Sequence, residues 1–170
     1  MMTRNWISKA ALSAVIGGCA VLASAQGLGN IGLSARIGYF QSTDSNHSGS
    51  FFAVGADYKL TALPASIPAS GLVGYWGISA DYYDRGAVSN LPVVLNYNLR
   101  QGPLTYSLGA GIEFYDLKDY GGSSGTGFNG QAGIAYEIKT PVIPFFLQAK
   151  YFLASHSELS GLGLYAGVRF

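Results

Sequence analysis

The sequence predicts an all-β protein: an eight-stranded antiparallel up-and-down transmembrane β-barrel, preceded by a cleavable signal peptide. Three observations predict it. Segments of about ten residues alternate apolar with small or polar residues, one after another, up to the C-terminal Phe170; a period of two marks a strand with two unlike faces. Across the eight apolar faces there is no Asp, Glu, Lys, Arg, His, Asn, Gln, Ser or Thr. Charged residues make up 11% of the chain, against about 25% of a typical soluble domain. A surface that poor in charge suits lipid better than water.

The first 25 residues read as an export signal. Arg4 and Lys9 give a positive start, residues 10–21 are apolar, and Ala23-Ser24-Ala25 is a small-x-small cleavage signature, so cleavage is expected between Ala25 and Gln26. The apolar run is shorter than the roughly 20 residues of a membrane-spanning helix. The mature domain is expected to be 26–170, with eight basic and nine acidic residues, and nothing in that balance suggests nucleic acid. Cys19 is the only cysteine and falls inside the signal, so no disulfide is expected. Gly17-Gly18-Cys19 is also faintly like a lipoprotein signal, but the apolar run continues past Cys19 to the better site.

Residues 26–30 are a lead-in, and the strands follow in order. In 31–40, Ile31, Leu33, Ala35, Ile37 and Tyr39 share the apolar face, opposite Ser34 and Arg36. In 50–60, Phe52, Val54, Ala56, Tyr58 and Leu60 oppose Asp57 and Lys59. In 72–83, Trp76, Ile78, Ala80 and Tyr82 oppose Tyr75, Ser79 and Asp81. In 91–100, Val93, Leu95, Tyr97 and Leu99 oppose Val94, Asn96, Asn98 and Arg100.

In 104–115, Tyr106, Leu108, Ala110, Ile112 and Phe114 oppose Ser107, Glu113 and Tyr115. In 127–139, Phe128, Ala132, Ile134, Tyr136 and Ile138 oppose Asn129, Gln131, Glu137 and Lys139. In 145–154, Phe145, Leu147, Ala149, Tyr151 and Leu153 oppose Gln148, Lys150 and Phe152. In 161–170, Leu162, Leu164, Ala166, Val168 and Phe170 oppose Tyr165 and Arg169. About ten residues is the length of a tilted strand that crosses a bilayer, and closing the sheet removes its edges.

The connections alternate. Those after the first, third, fifth and seventh strands (41–49, 84–90, 116–126 and 155–160) are polar, while Gln101-Gly102-Pro103 and 140–144 are tight and carry Pro. Long loops at one rim and short turns at the other fit a membrane barrel with its turns in the periplasm. The connection 61–71, with Pro64 and Pro68, is long for a turn.

A soluble barrel would point the apolar face inward. Here the mixed face is rich in Gly, Ala and Ser, which suits the crowded interior of a narrow barrel. Aromatics of the apolar face gather toward strand ends: Tyr39, Phe52, Tyr82, Phe114 and Phe128 at the loop rim, and Tyr58, Tyr97, Tyr106, Tyr136, Phe145 and Phe170 at the turn rim. Such girdles mark lipid–water interfaces. Trp76 and Tyr151 read as deeper.

On these strands the chain resembles the small eight-stranded outer-membrane β-barrels of the OmpA/OmpX type, over 31–170. The resemblance implies an integral protein of the bacterial outer membrane, in contact with lipid and lipopolysaccharide. It also implies that a terminal aromatic preceded by alternating apolar residues is read by the barrel-assembly machinery; Tyr165, Val168 and Phe170 match that pattern. Many functions share this architecture.

The candidate functional residues are the lumenal charges Arg36, Asp57, Asp81, Glu113, Glu137 and Lys150, expected to form a polar network that plugs the lumen. Charges there must pair, because isolated burial costs several kcal/mol. Lys59, Arg100, Lys139 and Arg169 lie near the turn rim and are expected to reach water. The expected role is structural or surface-interactive, by a monomer presenting its loops to a partner, with no cofactor, metal or catalysis. The alternative is a narrow channel with a slight anion preference. A third is a lipid A-modifying enzyme: some barrels of this type are lipid A deacylases or acyltransferases, and Ser155-His156-Ser157-Glu158 brings the residue types together, with Asp84 as a partner from another strand. Adjacent strand residues point to opposite faces, so the pairing is poor. His47 and His156 with Asp44 or Glu158 show no metal-ligand spacing. Gly121-Gly122-Ser123-Ser124-Gly125 lacks the Lys and the helix of a phosphate loop.

Overall fold

The computed structural model describes residues 32–44, 49–60, 71–85, 88–117, 123–141 and 143–170. The export signal with its Ala25–Gln26 junction, Cys19, His47, Gly121, Gly122 and most of the long connection (61–70) lie outside them. The described chain contains eight strands: β1 (Leu33–Ser42), β2 (Ser50–Leu60), β3 (Val73–Asp84), β4 (Val88–Gln101), β5 (Leu104–Leu117), β6 (Ser123–Ile138), β7 (Phe145–Ala154) and β8 (Gly161–Arg169). Each pairs antiparallel with its neighbour, and β8 returns to β1, Gly38 opposite Tyr165, so the sheet closes.

The burial pattern is that of a soluble protein turned inside out. Ile37, Ile112 and Leu164 are 54%, 53% and 58% exposed, whereas their chain neighbours Arg36, Glu113 and Tyr165 are 4%, 0% and 4%. The same holds round the wall, from Leu108 to Leu147 and Leu153. An apolar surface that continuous is stable only against hydrocarbon. Its rims carry exposed Tyr39, Phe52, Phe114 and Phe128 on one side and Tyr58, Tyr106, Tyr136 and Phe145 on the other. Trp76 is not isolated at depth: it pairs across the sheet with Tyr97 and packs edge-on at 5.1 Å, joining the turn-side aromatics.

The strands depart from the alternation pattern mainly at the loop rim. β5 and β6 extend the sheet through Asp116↔Ser124 and Leu117↔Ser123, where a loop was expected. Ser123, Ser124, Gly125 and Thr126 are exposed on both faces, so neither face required apolar residues and the pattern carried no strand signal. β4 begins at Val88, upstream of Pro92. The β3–β4 ladder is interrupted between Ala80↔Val93 and Tyr83↔Asn90, where Pro92 has no N–H to donate. At the opposite rim β4 and β5 join through Gly102-Pro103; Gly102 has φ +59°, the left-handed value a type II′ hairpin turn requires at its first position. The connection 155–160 contains a 3-10 turn, Ser157–Leu159, whose Leu159 is buried.

Candidate functional site in the barrel lumen

The lumen is layered. At mid-height four charges form one network. Arg36 Nε and Nη2 donate to Asp81 Oδ1 at 2.9 and 2.6 Å, and Lys150 Nζ donates to Asp81 Oδ2 at 2.7 Å. Arg36 Nη1 donates to Asp57 Oδ2, which also accepts from Ser34 Oγ at 3.1 Å. The Arg36, Asp81 and Lys150 side chains are 0%, 1% and 2% exposed. Two cations against two carboxylates leave no net charge, and each carboxylate has more than one donor, as burial demands. Gly55 permits the arrangement: a Cβ there would lie 2.2 Å from Asp81 Oδ1.

Glu113 and Glu137, expected in this same network, belong elsewhere. Among the described residues Glu113 has no cation. Oε2 accepts from Asn90 Nδ2 at 2.9 Å and Asn129 Nδ2 at 2.8 Å, and Oε1 from the Ser155 backbone N at 2.9 Å. Amide donors replace the ion pair, and one of them ties the β7–β8 connection to the lumen. Glu137 lies nearer the turn rim and accepts from both Arg100 and Arg169. These two arginines do not simply extend to water; they share one carboxylate. A fourth cluster joins Ser79, Asn96 and Gln131 through Asn96 Nδ2 and Gln131 Nε2, which donate to Ser79 Oγ at 2.9 and 2.7 Å.

Toward the loop rim aromatic rings fill the lumen beside the buried Glu113. Phe40 stacks on Tyr83 at 4.1 Å and meets Phe51 and Phe152 edge-on at 5.5 and 5.9 Å. Tyr83 and Phe152 are 5.6 Å apart. Leu159 from the 3-10 turn inserts into this buried cluster, beside Val88 and Leu117. Tyr83 Oη donates to the Leu159 carbonyl at 2.8 Å and accepts from Asn90 Nδ2 at 2.7 Å, while Thr43 N donates to Ser160 O at 3.0 Å. The expected plug of charges is therefore overlaid by aromatic rings. Continuing the alternation puts Phe40, Phe51, Tyr83 and Phe152 on the same face as Arg36, Asp57, Asp81 and Lys150, so the signal was in the sequence.

Toward the turn rim the described residues leave the lumen open. A cavity of about 370 Å³ runs from Lys150 and Asn96 down to Lys59 and Arg169, walled by Tyr75, Asn98, Ser107 and Gln148.

The rim residues considered for catalysis are engaged separately. Ser155 Oγ donates to Phe128 O at 3.0 Å and accepts from Phe128 N at 2.7 Å. Ser157 Oγ lies 3.3 Å from Asp44 Oδ2 and 3.4 Å from Glu158 Oε2. His156 packs edge-on against Tyr115 at 4.4 Å. Among the described residues no three His, Cys, Asp or Glu side chains are grouped to hold a metal. Of the terminal residues, Tyr165 points into the lumen, under Arg36 at 5.4 Å, whereas Val168 pairs with Ala35 and Phe145 on the outer face. Phe170 N donates to Leu33 O at 2.8 Å, bringing the two ends of the barrel together at the turn rim.

The chain matches no protein-family model and no curated protein sequence. Its fold does match solved structures. The N-terminal β-barrel domain of Pseudomonas aeruginosa OprF aligns with 84% of this chain and 99% of that one, at 13% identity and TM-score 0.53. The outer membrane enzyme PagL aligns with 81% and 99%, at 13% identity and TM-score 0.50. The Yersinia pestis outer membrane protein Ail aligns with 81% and 98%, at 17% identity and TM-score 0.48. With its apolar outer wall and polar lumen, the chain has the fold of the small eight-stranded outer-membrane β-barrels of OmpA/OmpX type.

Proposed function

We propose that this barrel is a closed, non-catalytic outer-membrane protein whose role is structural or surface-interactive. The supporting observation is the pair of stacked layers that fill the upper lumen. Phe40, Phe51, Tyr83, Phe152 and Leu159 lie over the network of Arg36, Asp57, Asp81 and Lys150, and nearly all of these side chains are buried. A hydrated ion would have to cross tightly packed rings and then displace neutralised ion pairs. The Ser157–Leu159 turn is held down over the mouth by Tyr83, which fixes this connection at the loop rim. Its partners in this reading are lipopolysaccharide, outer-membrane lipid or a macromolecule outside the cell, with the turns in the periplasm. The export signal and the assembly signal at Tyr165, Val168 and Phe170 belong to the same reading.

Planar-bilayer recording tests closure. The purified protein should insert without discrete current steps; reproducible single-channel steps would replace this reading with the narrow channel. The enzymatic reading is disfavoured by the separate engagements of Ser155, Ser157 and His156. Mass spectra of lipid A from cells with and without the protein should agree. A mass change that His156→Ala abolishes would instead assign catalysis to the loop rim.

A further inference from the structure

We infer that the cavity in the turn-side half of the lumen is a binding site for a small hydroxylated anion, about the size of a monosaccharide bearing a phosphate or carboxylate. This goes beyond the closed-barrel reading and does not depend on it, since the cavity is reached from the turn rim.

Size comes first. The cavity holds about 370 Å³, within the roughly 300–1,000 Å³ of small-molecule sites. Charge comes next. The ionisable groups on and directly behind its wall are Arg36, Lys59, Lys150, Arg100 and Arg169 against Asp57, Asp81 and Glu137. Five cations face three carboxylates. The mid-height network is neutral, so the excess lies toward the mouth. There Arg100 and Arg169 divide one carboxylate, and among the described residues Lys59 has a ring rather than an anion as its partner: its Nζ sits 5.1 Å from the Tyr75 centroid. Low-dielectric walls strengthen such an excess.

Unfilled hydrogen-bonding capacity is the third observation. Ser107 and Gln148 line the cavity next to Asn96, Asn98 and Thr105; their Oγ and Oε1 atoms are covered and without a partner among the described residues, and a side-chain rotation would turn them toward a ligand. Buried polar atoms normally have partners, and hydroxyl groups of a ligand would supply them. The rings of Tyr75 and Phe146 at the wall carry Lys59 and Arg169 over them, which holds both cations toward the mouth. Guanidinium and ammonium groups at the mouth, with amides and hydroxyls inside, set the polarity: anionic group outward, hydroxyls inward.

The test is isothermal titration calorimetry on the detergent-solubilised protein with inorganic phosphate, glucose 6-phosphate, glucuronate and glucose. Either sugar anion should bind at least about tenfold more tightly than glucose and than phosphate, a difference of about 1.4 kcal/mol. Lys59→Gln disturbs no ion pair among the described residues and should weaken the anions by at least about threefold while leaving glucose unchanged. Ser107→Leu narrows the cavity and removes a polar wall group, and should weaken binding by at least about tenfold, with the folded state checked by heat-modifiable gel mobility. Absence of heat with every anion up to about 10 mM, a range that reaches millimolar affinities, overturns the inference. So does binding that survives Ser107→Leu unchanged in a folded barrel. Discrete bilayer currents would refute closure but leave this result standing.

Discussion

Asp81 joins Arg36 and Lys150 at the centre of the lumen, with all three side chains almost fully buried. At an effective dielectric constant near 20, unit charges about 3 Å apart attract by roughly 5–6 kcal/mol. Desolvation offsets much of that, yet breaking a buried pair from one side still costs about 3–5 kcal/mol, because a lone charge remains. Asp81→Asn leaves Arg36 and Lys150 with only Asp57. Lys150→Met leaves Asp57 and Asp81 with only Arg36. Each single variant therefore strands one charge, and each should lose about 3 kcal/mol. The double variant restores one cation to one carboxylate. Its loss should fall short of the sum by about 2–3 kcal/mol, the upper range for residues in one network. Urea unfolding of the barrel in lipid vesicles gives the cycle, followed by fluorescence of Trp76, the single tryptophan of 26–170. Lys139→Gln at the exposed turn rim serves as control and should stay within about 0.5 kcal/mol. Single losses that add to within about 0.5 kcal/mol would refute the network, since additivity marks independent sites.

Other perturbations separate the layers and faces. Phe40→Ala removes the ring that touches Tyr83, Phe51 and Phe152 and should cost about 3–5 kcal/mol in the same unfolding assay; a loss below about 1 kcal/mol would mean a loosely packed seal. Leu95→Lys changes a residue 43% exposed, a neutral site in a water-soluble protein, but opposite Ala110, midway between the Tyr106 and Phe114 rims, it should cost about 2–4 kcal/mol. Equal stability would contradict the outward-facing hydrocarbon wall. Glu113→Gln keeps an acceptor for one or both asparagine amides but turns its other end into a donor facing the Ser155 N–H. Hydrogen exchange at the Ser155 amide should quicken by tenfold or more, about 1.4 kcal/mol of lost protection, and unchanged exchange would remove Glu113 as the anchor of this connection.

The sequence alone determined the strand count, the alternation and the assignment of apolar residues to one face, because a strand enforces a period of two whatever lies next to it. β2 and β7 appear with the bounds the pattern implied, Ser50–Leu60 and Phe145–Ala154. The bounds of β4, β5 and β6 did not, since above the bilayer neither face is obliged to be apolar and Pro92 interrupts the reading. The sequence also placed Arg36, Asp57, Asp81, Glu113, Glu137 and Lys150 inside. It did not decide which of them meet. Arg36 and Asp81 are 45 residues apart and Lys150 and Asp81 are 69 apart, so their contact depends on register and closure, which no local pattern encodes. Closure likewise set Glu113 among asparagines and drew Leu159 into the Phe40–Tyr83 cluster. It also left the turn-side half of the lumen unfilled by the described residues, because the volume inside a ring of strands is fixed by the whole circumference and by no single strand.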